Sequence, residues 1–201
     1  VSLIVGFCTV LLSMLIGTTL GLIAGYYGGV IDQILMRIVD IFMAFPGILL
    51  AMGLASLLRP SIYNVIFALS ITGWVGYSRI VRGQTLSLKE QEHVIAAKSL
   101  GAGDARIICY HILPNALAPI IVTATFGIAG AILGEASLSF LGIGIPPTEN
   151  SWGAMLDLGR QHLLNAPRLA IFPGIAIMLA VLGFNFLGDG LRDYFDPKMK
   201  I

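Results

Sequence analysis

Long apolar stretches separated by short polar ones organise this chain from end to end. A helix crossing about 30 Å of hydrocarbon needs roughly 20 apolar residues, because each residue rises about 1.5 Å. A charge at the centre of such a helix costs about 2.5–3.5 kcal/mol, so charges mark where crossings end. On that rule five crossings are expected: about Ser2 to Tyr26, Asp40 to Arg59, Arg59 to Arg79, Ala116 to Gly134, and Leu169 to Leu187. Arg59-Pro60 forms a tight hairpin between the second and third. The fold class implied is all-α: a polytopic membrane protein of about five transmembrane helices, one domain over residues 1–201.

Five crossings place residues 27–39, 79–115 and 189–201 on one side, and residues 59–60 and 135–168 on the other. The first side carries Arg37, Arg79, Arg82, Lys89, Lys98, Arg106, Arg192, Lys198 and Lys200, and the second only Arg59, Arg160 and Arg168. Lys and Arg accumulate on the cytoplasmic side of membrane proteins, so residues 79–115 are read as a cytoplasmic loop and 189–201 as a cytoplasmic tail. The segment 135–168 is then external. Val1 begins outside, inside an apolar run with no basic segment before it, which is unlike a signal peptide and implies a natural N-terminus further upstream.

Composition supports this reading. Of 201 residues, 57% are hydrophobic and only 11% charged, against about a quarter charged in soluble domains; the mean hydropathy is +0.90. A net charge of +1 gives no electrostatic footprint for nucleic acid. Cys8 and Cys109 fall at different depths, so no disulfide is expected between them, and each is read as a small buried hydrophobe.

Within the crossings, Gly17, Gly21 and Gly25 recur every four residues and leave one helix face bare, which suits close packing inside the chain or, alternatively, a subunit interface. Pro46 and Pro173 each remove a backbone hydrogen bond, so kinks and candidate hinges are expected there. In the external segment, Pro146 and Pro147 enforce a turn and Trp152 suits the membrane interface. That segment either meets a partner or plugs the outer mouth.

The sequence EHVIAAKSLGAGDARIICYHILPNA, residues 92–116, is a polar island between oily neighbours. Residues Lys89 to Leu100 favour helix, with Val94, Ala97 and Gly101 on one face. Gly101 stands where helices end in the left-handed conformation. Asp104 is read as the N-cap of a second helix striped by Ile107, Ile108, Cys109 and Ile112. Pro114 should stop that helix, Asn115 should cap the next crossing, and Pro119 should fall in its first turn. Two helices joined by a glycine turn make either a loop packed on its own bundle or a docking knob. The small residues of the first helix would let a partner come close.

Catalytic signatures are missing. No GxxxxGK[ST] cradles phosphate, GAGDAR lacks the lysine, and neither HExxH nor paired cysteines with metal spacing occur. Ser137 and Ser139 have no histidine base at hand. His93, His111 and His162 are read as surface or capping residues. The crossings lack a central ionisable side chain of the kind proton-driven carriers use as a relay. Asp189, Asp193 and Asp196 near the last exit are read as a solvated surface.

The island resembles the cytoplasmic "EAA" loop of ABC-importer permeases, matching at Ala96, Ala97, Gly101, Leu113 and Pro114. It departs at Ile95, where that family often has glutamate, and at His111, where isoleucine is usual; Glu92 lies one turn earlier. MRIVDIFMAFP, SLSFLGIGIPPTENSWGAML and FNFLGDGLRDYFDPKMK extend the resemblance to dipeptide, oligopeptide and nickel permeases over the whole chain. The resemblance implies the type I importer permease fold, lacking its first span here, in a prokaryotic inner membrane. It implies a coupling helix that docks on an ATPase through Glu92, Ala96, Ala97, Leu100, Gly101, Ala102, Leu113 and Pro114. It also implies a non-catalytic subunit with no cofactor of its own, ATP and magnesium being held by two ABC ATPase subunits. A second, homologous permease and an extracytoplasmic solute-binding protein complete the implied complex. Rival expectations are an ion- or proton-coupled carrier, for which Thr123, Thr125 and Asn185 could line a path, and a non-transporting membrane scaffold.

Overall fold

The computed structural model describes residues 1–146 and 148–195; Pro147, Asp196, Lys198 and Lys200 lie outside the described residues. Helices cover Ser2–Tyr27 (α1), Gly29–Met43 (α2), Gly47–Leu57 (α3), Ile62–Leu88 (α4), Glu92–Ser99 (α5), Asp104–Arg106 (α6), Leu113–Phe140 (α7), Trp152–Gln161 (α8) and Arg168–Phe195 (α9). A π-helical turn, Ile107–Ile112, joins α6 to α7. No strand occurs among the described residues. The chain is therefore the all-α, polytopic membrane protein that its hydropathy pattern requires.

Among the described residues, three helices are long and apolar enough to cross a membrane: α1, the continuous Asp104–Phe140 helix, and α9. Helices α2 and α3 pass only as a pair, bent by 82° across the break that contains Pro46. The second expected crossing is thus broken rather than kinked. Pro46 has ψ 120, outside the helical range, and α3 starts afresh at Gly47. By contrast, α9 runs through Pro173 as one helix, and it extends past Asp189, Arg192 and Asp193 into the stretch expected as a tail.

Helix α4, expected as the third crossing, has 27 residues and so reaches about 40 Å. It does not stand as an apolar crossing by itself, with Asn64 near its start and Arg79, Arg82 and Gln84 near its end, and along its length it also carries Ser70, Ser78 and Thr85. All three are buried inside the bundle. An inward-facing helix can carry hydroxyls that a lipid-facing one cannot.

The tightest helix pair is α1 with α4. A Cβ added at Gly21 would lie 2.6 Å from the Ser78 carbonyl oxygen, and one at Gly25 would lie 2.6 Å from Thr85 Cβ. Gly17 meets the Trp74 carbonyl and the Tyr77 Cβ in the same way. The glycine stripe therefore faces α4 of its own chain. Arg59 and Ser61 close the α3–α4 hairpin: Asn64 Nδ2 donates to the Arg59 carbonyl at 2.8 Å, and Ser61 Oγ caps α4 by accepting from Tyr63 N–H.

One end of the bundle holds a cluster of Val5, Ala51, Ala55, Val65, Leu69, Leu138 and Ile145. The other end, which carries the island, holds Leu22, Val81, Leu88, Val94, Ile107, Ile112 and Ile120. Between them Val10, Tyr77, Ile128, Ile132 and Ile177 join α1, α4, α7 and α9.

Helix α7 does not end at Gly134 but runs on to Phe140, so the expected loop 135–168 shrinks and already contains α8. Glu135 becomes a helical residue, fully buried. A rule that ends crossings at charges hides this carboxyl group, because it makes Glu135 the boundary. Trp152 is half-buried against the central cluster, its backbone N–H donating to Ser2 Oγ at 3.1 Å. Cys109 is exposed instead of buried, and both cysteines are free thiols.

Candidate functional site

The island forms a knob at the end of the bundle where α1 and α4 finish. Glu92 in the first turn of α5 and Lys98 in its last turn oppose the helix dipole favourably. Val94 points inward and is 3% exposed, packed with Leu22, Leu88, Ile107 and Ile112. The opposite face is open: Ile95 is 50% and Leu100 88% exposed, and Glu92 and Ala96 are exposed beside them.

Gly101 has φ +84. Its N–H donates to the Lys98 carbonyl at 3.0 Å, and the Ala102 N–H donates to the Ala97 carbonyl at 3.1 Å. These two bonds make a Schellman ending, whose left-handed residue is glycine for want of a Cβ clash. The turn ends α5 and leaves it packed against the π turn.

The start of α6 and the path into α7 differ from the sequence expectation. Gly103 occupies the N-cap, and Asp104 is the first residue of α6. The Asp104 carboxylate instead accepts a 2.7 Å hydrogen bond from the Tyr26 hydroxyl of α1. Pro114 does not stop the helix, which is continuous from Asp104 to Phe140. The π turn ends just ahead of Pro114, and its wider winding makes room for a ring that an α-helix would strike. Asn115 caps nothing; its Nδ2 donates back to the His111 carbonyl at 2.7 Å. Pro119 lies inside α7 rather than in a first turn, with Thr123 Oγ1 donating to its carbonyl at 2.7 Å.

Ala97, Leu100, Gly101 and Ala102 gather around one concavity of about 290 Å³, together with Arg106 and His111. Glu92 and Ala96 stand on the exposed side of α5. Leu113 is not brought to this surface; it packs partly buried against the island-end cluster, while Pro114 is exposed. Both departures from the motif are surface positions, Ile95 on α5 and His111 on the rim of the concavity. Tyr110, 75% exposed, and Arg106 belong to this surface too, although sequence reasoning does not single them out. Both lie in the expected second helix, Arg106 at the end of α6 and Tyr110 within the π turn, whose winding no sequence period announces. The chemistry offered is small, apolar and shape-defined, with Arg106 as the cation at the edge. No group of three His, Cys, Asp or Glu side chains able to hold a metal occurs among the described residues.

The knob is tied to the bundle in one further place, and α4 is tied to α2 in another. Lys89 Nζ donates to the Gly25 carbonyl at 3.2 Å, at the end of α1. Arg82 of α4 grips Asp32 of α2 with two hydrogen bonds, Nε to Oδ1 and Nη2 to Oδ2 at 2.6 Å.

Residues 17–201 match the family described as "Binding-protein-dependent transport system inner membrane component". Over 199 residues the chain is 52% identical to the dipeptide transport system permease protein DppC of Alkalihalophilus pseudofirmus, covering 99% of this chain and 66% of that protein. It is 48% identical over 200 residues to the glutathione transport system permease protein GsiD of Pectobacterium atrosepticum, covering 100% and 66%. The chain thus spans just under two thirds of the length of these relatives. Among solved structures, the inward-facing MetNI methionine ABC transporter is similar with TM-score 0.75 and 20% identity, over 96% of this chain and 92% of that one. An amino acid ABC transporter crystallised with histidines gives 0.70 and 17%, over 96% and 90%. At such identities the likeness is one of fold.

Proposed function

Because this chain belongs to the binding-protein-dependent transport system inner membrane component family, we propose that it is a transmembrane subunit of an ATP-driven importer of peptides. The observation that carries the reading is the preformed knob: an open face with Ile95, Ala96, Leu100 and Gly101 outward, held by Val94, Ile107 and Ile112 buried behind it. Such a surface suits a partner that pushes on the bundle. On this reading the knob faces the cytoplasm and seats in a groove of an ATPase subunit, two of which bind the ATP and magnesium. A second permease and an external binding protein complete the complex, in a prokaryotic inner membrane. The peptide class rests on the dipeptide, glutathione and peptide permeases to which the chain is similar.

Mechanically, a partner can shift a conformational equilibrium only through contacts that differ in free energy between the two states. A rigid lever transmits those differences without absorbing them. The Schellman turn and the Tyr26–Asp104 bond make the knob rigid, so closure of the ATPases would tilt α4 and α7 together.

The test is Gly101→Asp. At φ +84 a Cβ costs about 1–2 kcal/mol of backbone strain, and no atom of the chain lies within 4 Å of that Cβ. Gly103→Ala is the comparison, at φ −70 and equally open. Cargo-stimulated ATP hydrolysis by the purified complex should fall at least ten-fold for the first and stay within two-fold for the second, at least about 1 kcal/mol separating them. Full stimulation in Gly101→Asp would overturn the docking assignment. A carrier acting alone, the rival that buried Glu135 would favour, predicts peptide uptake into vesicles holding this chain without ATPases.

A further inference from the structure

The charge rule sets Arg79 at the inner end of the third crossing, yet α4 runs on past it to Leu88. Contacts with α1 fix its depth. Gly17 abuts Trp74 and Tyr77, Gly21 abuts Ser78 and Arg82, and Lys89 reaches the Gly25 carbonyl. Arg79 is therefore level with Gly17 to Gly21, about 10 Å short of the Tyr26–Tyr27 end of α1. Its side chain does not turn back toward that end. Helical side chains tilt toward the helix N-terminus, and Arg79 Nη1 donates at 2.8 Å to the sulfur of Met43, where α2 stops at the break. A thioether is a weak and neutral acceptor. No carboxylate pairs with Arg79 among the described residues, and the residue is exposed.

An exposed guanidinium at this depth is costly in hydrocarbon, and such groups mark water-filled or substrate-lined faces. The neighbouring positions agree. Thr72, Gly76, Arg79 and Gly83 share one face of α4, and a Cβ added at Gly76 or Gly83 would meet nothing within 4 Å. On α2, Gln33, Arg37 and Asp40 form an exposed polar stripe, while Ile34, Ile38 and Ile41 are exposed on another side that suits lipid. Met43 lies one turn beyond Asp40, so its contact with Arg79 sets the polar faces of α2 and α4 side by side. The break itself, Ala44 to Pro46, is exposed as well. Non-helical backbone at membrane depth is tolerated only where it lines a water-filled space or is buried in protein. A free cation, bare glycines and broken backbone thus meet at one place.

We propose that this face lines the cargo path and that Arg79 binds the terminal carboxylate of the peptide in transit. The proposal rests on the importer reading and deepens it. A guanidinium presents parallel N–H donors that match a carboxylate in two-pronged fashion, and linear peptides share a C-terminal carboxylate whatever their side chains. Arg82, close by, is already held by Asp32. The Met43 sulfur steadies the Arg79 guanidinium without neutralising it, so its charge stays free for cargo. Gly76 and Gly83, a turn to either side, let peptide main chain come close to the helix.

The test uses the whole importer, with its second permease and ATPases, in open membrane fragments without ATP, so that added peptide reaches both faces. Cys8 and Cys109 are replaced by serine. Gly76→Cys, a turn from Arg79, reports occupancy through its rate of labelling by neutral methyl methanethiosulfonate, read by mass on this chain. Dialanine should slow the labelling. Dialanine amide, which lacks the carboxylate, should need about ten-fold more for the same protection, the weight of one charge-assisted bond. With Arg79→Gln the two peptides should protect equally, at the concentrations the amide needs. Arg79→Lys should keep a smaller preference, because an ammonium has no fork. Equal protection by the two peptides in the importer that keeps Arg79, or a preference that survives Arg79→Gln, overturns the proposal. So does a Gly76→Cys that peptide never protects, or that is not labelled at all. If Arg79 instead pairs with a carboxylate of the second permease, Arg79→Gln should split the solubilised complex and neither peptide should be preferred beforehand, which overturns it too. ATP-driven dialanine uptake in sealed vesicles separates the two readings: uptake without protection sinks only the carboxylate site, whereas no uptake by the unsubstituted importer sinks both.

Discussion

The Tyr26 hydroxyl, in the last turn of α1, donates at 2.7 Å to the Asp104 carboxylate at the head of α6, joining groups 78 residues apart in sequence. Hydrogen bonds to charged acceptors contribute about 1.5–3 kcal/mol when desolvated; here both ends are partly in solvent, so about 1 kcal/mol is expected. Tyr26→Phe removes this bond and nothing else, since the ring still packs beside Tyr27. Amide exchange of residues 103–106 should accelerate about five-fold, with exchange in α7 unchanged. An unaltered pattern would mean that the knob is held by Val94, Ile107 and Ile112 alone.

The α1–α4 contact gives a second prediction. Gly21→Ala puts a Cβ 2.6 Å from a backbone oxygen of Ser78 and 2.8 Å from Val81 Cβ, and backbone cannot move aside without separating the helices. Gly53→Ala in α3 meets nothing within 4 Å. Both changes gain the same helix propensity, about 1 kcal/mol, so their difference isolates packing. Overpacking costs about 1–3 kcal/mol, and Gly21→Ala should unfold several degrees below Gly53→Ala in detergent. Equal midpoints would show that α1 and α4 are not locked together by this face.

Much of this architecture is legible in the sequence because membrane insertion is governed by averages over twenty residues, which single side chains cannot hide. The island and the Gly101 turn are legible for the opposite reason, one residue type having one conformational privilege. Boundaries set by charges are the weak point. Glu135 looks like the end of a crossing, yet its carboxyl group sits inside the bundle, one of its oxygens accepting a hydrogen bond from Ser139. Pro114 looks like a stop, but the π turn before it absorbs the ring. Such accommodations depend on neighbours brought together by the fold, and the local sequence carries no period that marks them. Tyr110 escapes notice at the candidate surface for the same reason.

Helix α2 buries only Val39, so its attachment depends on few contacts, and the Asp32–Arg82 pair is foremost among them. The geometry is two-pronged, with side chains 16% and 32% exposed. Exposed pairs contribute about 0–1 kcal/mol, and partial burial with fork-to-carboxylate geometry places this one near the top of that range. A double-mutant cycle of Asp32→Asn and Arg82→Gln should return a coupling of about 1 kcal/mol. The coupling should shrink as salt rises from about 0.05 to about 0.5 M, where the Debye length falls well below about 10 Å. A coupling indistinguishable from zero at low salt would leave α2 held by its apolar contacts alone.

At the far end, the Ser139 hydroxyl works in two directions: it donates to Glu135 Oε1 at 2.8 Å and accepts from the Ile145 N–H at 3.1 Å. The loop after α7 is thereby folded back onto the helix, over a fully buried carboxyl group. Ser139→Ala would strip a partner from two buried groups at once, and each such loss costs about 1–3 kcal/mol. Ser137→Ala, on the exposed face of the same helix, removes only a bond to the Leu133 carbonyl. Ser139→Ala should therefore lose at least about 2 kcal/mol, against less than about 0.5 kcal/mol for Ser137→Ala. Limited proteolysis should then cut within residues 141–151 in Ser139→Ala and spare them in Ser137→Ala. Comparable stability and equal resistance in the two variants would show that the Glu135–Ser139–Ile145 chain does not hold the loop, leaving that role to the apolar packing of Leu138 and Ile145.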